Sequence, residues 1–92
     1  MRFEWDAAKA SANLRKHGIS FDEAATVFYN PLALIFEDTE HSEGEFREII
    51  IGYSSQNRLL LVAFTERSEN IRIISARLAT RREREDYEQN TP

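Results

Sequence analysis

The spacing of apolar residues changes character twice along this chain. Between Ala7 and Phe28 it is helical. Ala7, Ala10 and Leu14 share one face of "AAKASANLRKH", and Phe21, Ala24, Ala25 and Phe28 follow at i, i+3, i+4 and i+7. After Pro31 the pattern is that of strands, in four short apolar runs: "LALIFED", "FREIIIGY", "RLLLVAF" and "IRIISARL". A polar, helix-forming stretch closes the chain, and "RFEW" at its start reads as one more short strand.

The punctuation between these runs agrees with them. Asp6 is placed to cap the first helix, because its carboxylate accepts from the free amides of the first turn. Gly18 stops that helix, since it takes a left-handed conformation without a Cβ clash. "SFDE" (Ser20–Glu23) and "TRRE" (Thr80–Glu83) are capping boxes in which the glutamate reaches back to the cap amide. Asn30-Pro31 ends the second helix. The separators "SSQN" and "ERSEN" suit hairpins, hence antiparallel pairing, and the nearly all-apolar "RLLLVAF" suits a central strand covered on both faces. The predicted order is β-α-α-β-β-β-β-α. It indicates an α+β fold with helices packed on one side of an antiparallel β-sheet, as a single domain over residues 1–92.

Composition narrows the chemistry. With 92 residues, 41% hydrophobic and 30% charged, the chain is long enough for one modest core. There is no cysteine, so disulfides and thiolate metal sites are excluded, which fits a reducing cytoplasm. No run of apolar residues is long enough to span a membrane, and the start lacks the apolar segment of a signal peptide. The net charge of −4 hides an asymmetry. Residues 1–19 carry +2, residues 20–57 carry −7, residues 58–84 carry +4 and the tail carries −3. The later basic part can therefore present a charged face to an anion despite the acidic average.

That basic part contains "RIISARLATRRERE", with five arginines. Strand alternation predicts Ile71, Ile73, Ser75 and Arg77 on one face and Arg72, Ile74, Ala76 and Leu78 on the other. Arg77 then follows buried positions and needs either an acidic partner, such as Glu45 or Glu48, or an anionic ligand. Arg67 ends the central strand. Arg81, Arg82 and Arg84 fall on the last helix as a solvated face. His17 beside Lys16 suits either the helix dipole or acid–base work. Tyr87 suits either the core or a ligand contact. His41 lies among Glu37, Asp38, Glu40, Glu43 and Glu45, at a spacing that matches no metal-ligand motif and reads as an acidic loop. There is no glycine-rich phosphate loop, no cysteine nucleophile and no nucleophile elbow.

Three separated motifs carry a resemblance. They are Trp5-Asp6-Ala7-Ala8-Lys9, Asn13-Leu14-Arg15-Lys16-His17-Gly18-Ile19-Ser20-Phe21, and Ile71-Arg72-Ile73-Ile74-Ser75-Ala76-Arg77. In this order, from Phe3 to Tyr87, the chain resembles the BrnT family of bacterial toxins. The resemblance implies a RelE-like fold and a metal-independent RNA endonuclease, without cofactor, that inhibits translation from the cytoplasm. It implies a hetero-oligomer with a cognate BrnA-like ribbon-helix-helix antitoxin, DNA contacted only through that antitoxin, and no membrane. It assigns Arg67, Arg77, His17 and Lys16 to catalysis, Arg72 and Tyr87 to substrate binding, and no residue to a metal. The alternative is a non-catalytic binding module that acts through its antitoxin as a transcriptional co-repressor. The acidic stretch from Glu37 to Glu48 would suit docking of a basic partner.

Overall fold

The computed structural model describes residues 1–41 and 44–91; Ser42, Glu43 and Pro92 lie outside them. Strand β1 (Arg2–Glu4) leads to helices α1 (Ala7–His17) and α2 (Phe21–Thr26). A 3-10 turn at Val27–Tyr29 extends α2. Strands β2 (Leu34–Glu37), β3 (Glu48–Tyr53), β4 (Leu59–Arg67) and β5 (Asn70–Leu78) follow, and α3 (Arg81–Asn90) ends the order. Asp6 Oδ1 accepts from the Lys9 amide at 2.9 Å, and Gly18 closes α1 at φ 70°.

The strands form one sheet in the order β1-β5-β4-β3-β2, with β4 at its centre. Two expectations need correction. The sheet is mixed, because β1 lies parallel to β5 while the other neighbours are antiparallel. The helices do not share one side. Alternate residues of β4 enter two separate cores: Leu60, Val62 and Phe64 pack with Phe21, Ala24 and Val27, while Leu59 and Leu61 pack with Tyr87 of α3. Both faces of a strand so uniformly apolar need cover, and α3 supplies part of the second. Close packing continues at Gly52, where a Cβ would lie 2.8 Å from the Ala33 Cβ.

β1 is short and pairs β5 only from Asn70 to Arg72. Farther along β5 a side chain completes the edge. Asn13 Nδ2 donates to the Ala76 carbonyl (2.8 Å) and the Ile19 carbonyl (3.0 Å), and its Oδ1 accepts from the Ala76 amide (3.1 Å). One amide thus serves both backbone groups as a neighbouring strand would, and a buried edge needs that. The inward face of α1 therefore turns on Asn13 and Ala10, and Leu14, expected inward, is exposed.

The capping box expected at Ser20 forms by half. Ser20 Oγ accepts from the Glu23 amide at 3.0 Å. The Glu23 carboxylate instead turns inward, where Ser54 Oγ donates at 2.7 Å and the Arg58 guanidinium binds both its oxygens. The arginine holds this buried carboxyl below the usual range, against the opposing effect of burial.

Candidate functional site

A bulge in β5 decides which arginines share a surface. Ala63 pairs with Ser75 but Phe64 pairs with Ile73, so Ile74 is the extra residue between them. The bulge reverses the alternation expected across it. Ile71 and Ile73 join Ala76 on the face covered by α1 and α2. Arg72, Ser75 and Arg77 share the opposite face, which corrects the expectation that Arg72 and Arg77 point apart. Register with β4 places Leu61, Ala63, Thr65 and Arg67 on that same face.

α3 covers only one end of this face, over Ile51, Leu59 and Leu61. Its first turn is tied down by Arg77, whose Nη1 and Nη2 donate to Glu83 Oε1 (2.8 Å) and Oε2 (2.9 Å). The partners expected for Arg77, Glu45 and Glu48, are not its partners. Glu48 pairs across from Phe64, on the other face, and Glu45 serves Arg67. Glu83 also completes the capping box at Thr80. Arg77 holds the Glu83 carboxyl at about 2, with a smaller contribution from the Thr80 amide.

Beyond α3 the face is charged. Arg67 Nη2 donates to Glu45 Oε1 at 2.9 Å, and Arg72 Nη1 donates to Glu4 Oε2 at 3.0 Å. Glu45 is held below the ordinary carboxyl range by Arg67 first, with Arg47 and Arg72 adding to the field. Arg67 and Arg77 are not neighbours. Their registers, opposite Asn70 and Leu61, put them six β4 residues apart, about 20 Å at the usual rise per strand residue. They mark the two ends of a track, with Arg72 and Arg47 between.

At the Arg77 end the track opens into a cleft of about 280 Å³, lined by Asp38, Glu40, His41, Arg47, Ile49, Leu61, Ala63, Ile74, Ser75 and Arg77. The loop after β2 forms its wall, anchored where the Asp38 amide donates to the Arg47 carbonyl at 2.9 Å. Asp38 is buried and its carboxylate meets His41 Nδ1 at 3.1 Å and 3.2 Å. In the sequence His41 suggests at most a metal ligand in an acidic loop, and Arg47 carries no assigned role. The available signal was Asp38-x-x-His41, a carboxylate and an imidazole three residues apart with an arginine beyond.

The other expected residues lie elsewhere. Lys16 and His17 end α1 beside Gly18 and Ile19, on the α1–α2 side of the sheet, and make no side-chain hydrogen bond or ion pair among the described residues. Tyr87 is buried, stacked edge-on to Tyr53, and its hydroxyl donates to the Leu32 carbonyl at 2.9 Å. That geometry gives the side chain a packing contact in the core under α3. Among the described residues no group of three or more His, Asp or Glu is arranged to hold a metal ion, and Glu43 of the acidic loop lies outside them. Among the described residues no helix is long and apolar enough to cross a membrane.

Chemically, the track offers four guanidinium groups in a row to an extended anion, and the cleft offers an imidazole beside two of them. Comparison with known proteins points the same way. A family model described as the ribonuclease toxin BrnT of type II toxin–antitoxin systems matches residues 5–83. The crystal structure of the Brucella abortus ribonuclease toxin BrnT matches with a TM-score of 0.67 and 26% identity, over 88% of this chain and 99% of that one. No curated protein matches the chain.

Proposed function

The chain belongs to the BrnT family of ribonuclease toxins of type II toxin–antitoxin systems, and from that premise we propose a metal-independent RNA endonuclease that arrests translation in the cytoplasm. The observation that carries this reading is the arginine track, with Arg47, Arg67, Arg72 and Arg77 on one sheet face. A single-stranded RNA laid along it meets a cation at each step, and its substrate-binding residues are these four. Cleavage through the RNA's own 2′-hydroxyl requires a proton acceptor and cations around the crowded phosphate, and no metal. Arg67 and Arg72 must exchange a carboxylate for a phosphate, while Arg77 stays on Glu83 and meets the phosphate with its remaining N–H donors. The exposed pair at Arg67 gives way readily, because water screens it, and the half-buried pair at Arg72 less so.

Residues 1–92 act in this reading as one RelE-like domain. The partner is a BrnA-like ribbon-helix-helix antitoxin, through which alone the complex touches DNA. The test is cleavage of a labelled RNA by purified protein in excess EDTA, with a 2′-deoxy copy of the strand as control. Cleavage of RNA in EDTA, and none of the deoxy strand, is the expected result; loss of activity to the chelator rejects metal independence.

A second reading has one observation in its favour: Arg67, Arg72 and Arg77 all carry carboxylate partners within the chain. In that reading the toxin domain binds its antitoxin and co-represses transcription without cutting RNA. A tight complex with the antitoxin, together with intact RNA at every level of induced expression, selects it.

A further inference from the structure

We propose that His41 is the proton-transfer residue of the cleft and that Asp38 is its positioning residue. This rests on the ribonuclease reading above and assigns within it the group that the arginines cannot supply. Arginine stays protonated and can hold a phosphate but cannot accept a proton from a hydroxyl. Imidazole can do so. His41 is the histidine that lines the cleft shared by Arg47 and Arg77.

The geometry around the ring is that of an oriented base. An ionised carboxylate only accepts hydrogen bonds, so in the neutral ring the Asp38 oxygens 3.1 Å and 3.2 Å from Nδ1 favour the tautomer with its hydrogen on that nitrogen. Nε2 is left with its lone pair. Asp38 is one-tenth exposed while the His41 side chain is 61% exposed, so the carboxylate is held within the protein and the ring is open to a substrate. The Asp38 amide is in turn tied to the Arg47 carbonyl, which couples the base to a phosphate-holding residue. Among the described residues, the charged and titratable groups that line the cleft with the ring are Asp38, Glu40, Arg47 and Arg77.

With RNA in the cleft, Nε2 takes the proton of the 2′-hydroxyl as that oxygen forms a bond to phosphorus. The P–O5′ bond breaks and its electron pair goes to O5′, which takes a proton from water. The imidazolium returns its proton to the hydroxide so formed. The products are a 2′,3′-cyclic phosphate and a 5′-hydroxyl, and the enzyme is unchanged.

The test uses the full chain and a labelled single-stranded RNA, with kcat and KM measured across pH. His41→Ala is expected to lower kcat by about 100-fold or more, with KM moved by less than about threefold because the arginines that bind phosphate remain. Added imidazole should restore part of the rate to His41→Ala and none to Arg77→Ala. Asp38→Asn should lower kcat at similar KM and displace the acidic limb of the pH profile, which a merely structural role would leave in place. His41→Asn, compared by thermal unfolding, guards against misfolding of the first variant. Wild-type cleavage with His41→Ala within twofold of it overturns the proposal and leaves the ribonuclease reading standing. Wild type that cleaves no RNA overturns both.

Discussion

Arg77 and Glu83 form a two-point ion pair, Nη1 to Oε1 at 2.8 Å and Nη2 to Oε2 at 2.9 Å, while the same Oε1 accepts from the Thr80 amide at 2.8 Å. One carboxylate therefore caps α3 and fastens it to β5 at the mouth of the cleft. The pair also sets how Arg77 is presented. Its guanidinium is locked in a plane by a fork-to-fork contact, so it meets a ligand in one orientation rather than many.

The first prediction concerns acid. Glu83 has a folded value of about 2 against an ordinary 4.5, so its stabilisation is complete above about 4.5 and fades as pH falls toward 2. The pair is partly open to water, and the increment is expected at about 1–2 kcal/mol after screening. Glu83→Gln should lose that increment at neutral pH and show a shallower decline below pH 4.5. Denaturant unfolding at pH 7, 4 and 3 checks this. Glu23, also depressed, acts with the same sign in both proteins and cancels in the comparison.

Arg47→Ala should weaken RNA binding uniformly across sequences, since a phosphate contact carries no base information. For one lost contact the slope of log K against log salt should fall by about 0.7. Filter binding from low to moderate salt gives the slope directly, and an unchanged slope would place Arg47 outside the RNA track.

Asn13→Ala removes three buried hydrogen bonds and leaves both backbone groups of Ala76 without their partner. The expected cost is about 2–4 kcal/mol. Urea unfolding measures it. A loss well under 1 kcal/mol would mean that water already serves this edge.

Tyr87→Phe removes one hydrogen bond, to the Leu32 carbonyl, at an expected cost of about 1 kcal/mol. Tyr87→Ala empties the α3 core and should cost about 3–5 kcal/mol. If RNA affinity of folded Tyr87→Phe fell sharply instead, Tyr87 would return as a ligand contact.

Local signals in the chain were read correctly where the chemistry is local. Asp6, Gly18 and the Thr80–Glu83 box work within one turn of their own helix, so spacing alone reveals them. Glu23 shows the boundary. Its amide behaves as the box predicts, but its carboxylate finds Arg58, 35 residues away, and no local rule contains that partner. The parallel place of β1 is equally distant information, because a three-residue strand does not announce which edge it will join.

The site was legible only in kind. The sequence by itself determined that arginines gather in and after the last strand, that the strands are apolar enough to form a two-sided sheet, and that the family motifs fall in order. Tertiary structure decided which arginines share a face. The bulge at Ile74 is set by how β5 fits against β4, and one extra residue turns Ser75 and Arg77 onto the face of Arg72. It also decided that His17, inside a family motif, stands on the α1–α2 side of the sheet, while His41, in an irregular acidic loop, lines the same cleft as Arg77. The reason is physical. Helix caps and strand periods depend on neighbours a few residues away, whereas a site depends on register and on loop closure across the whole sheet.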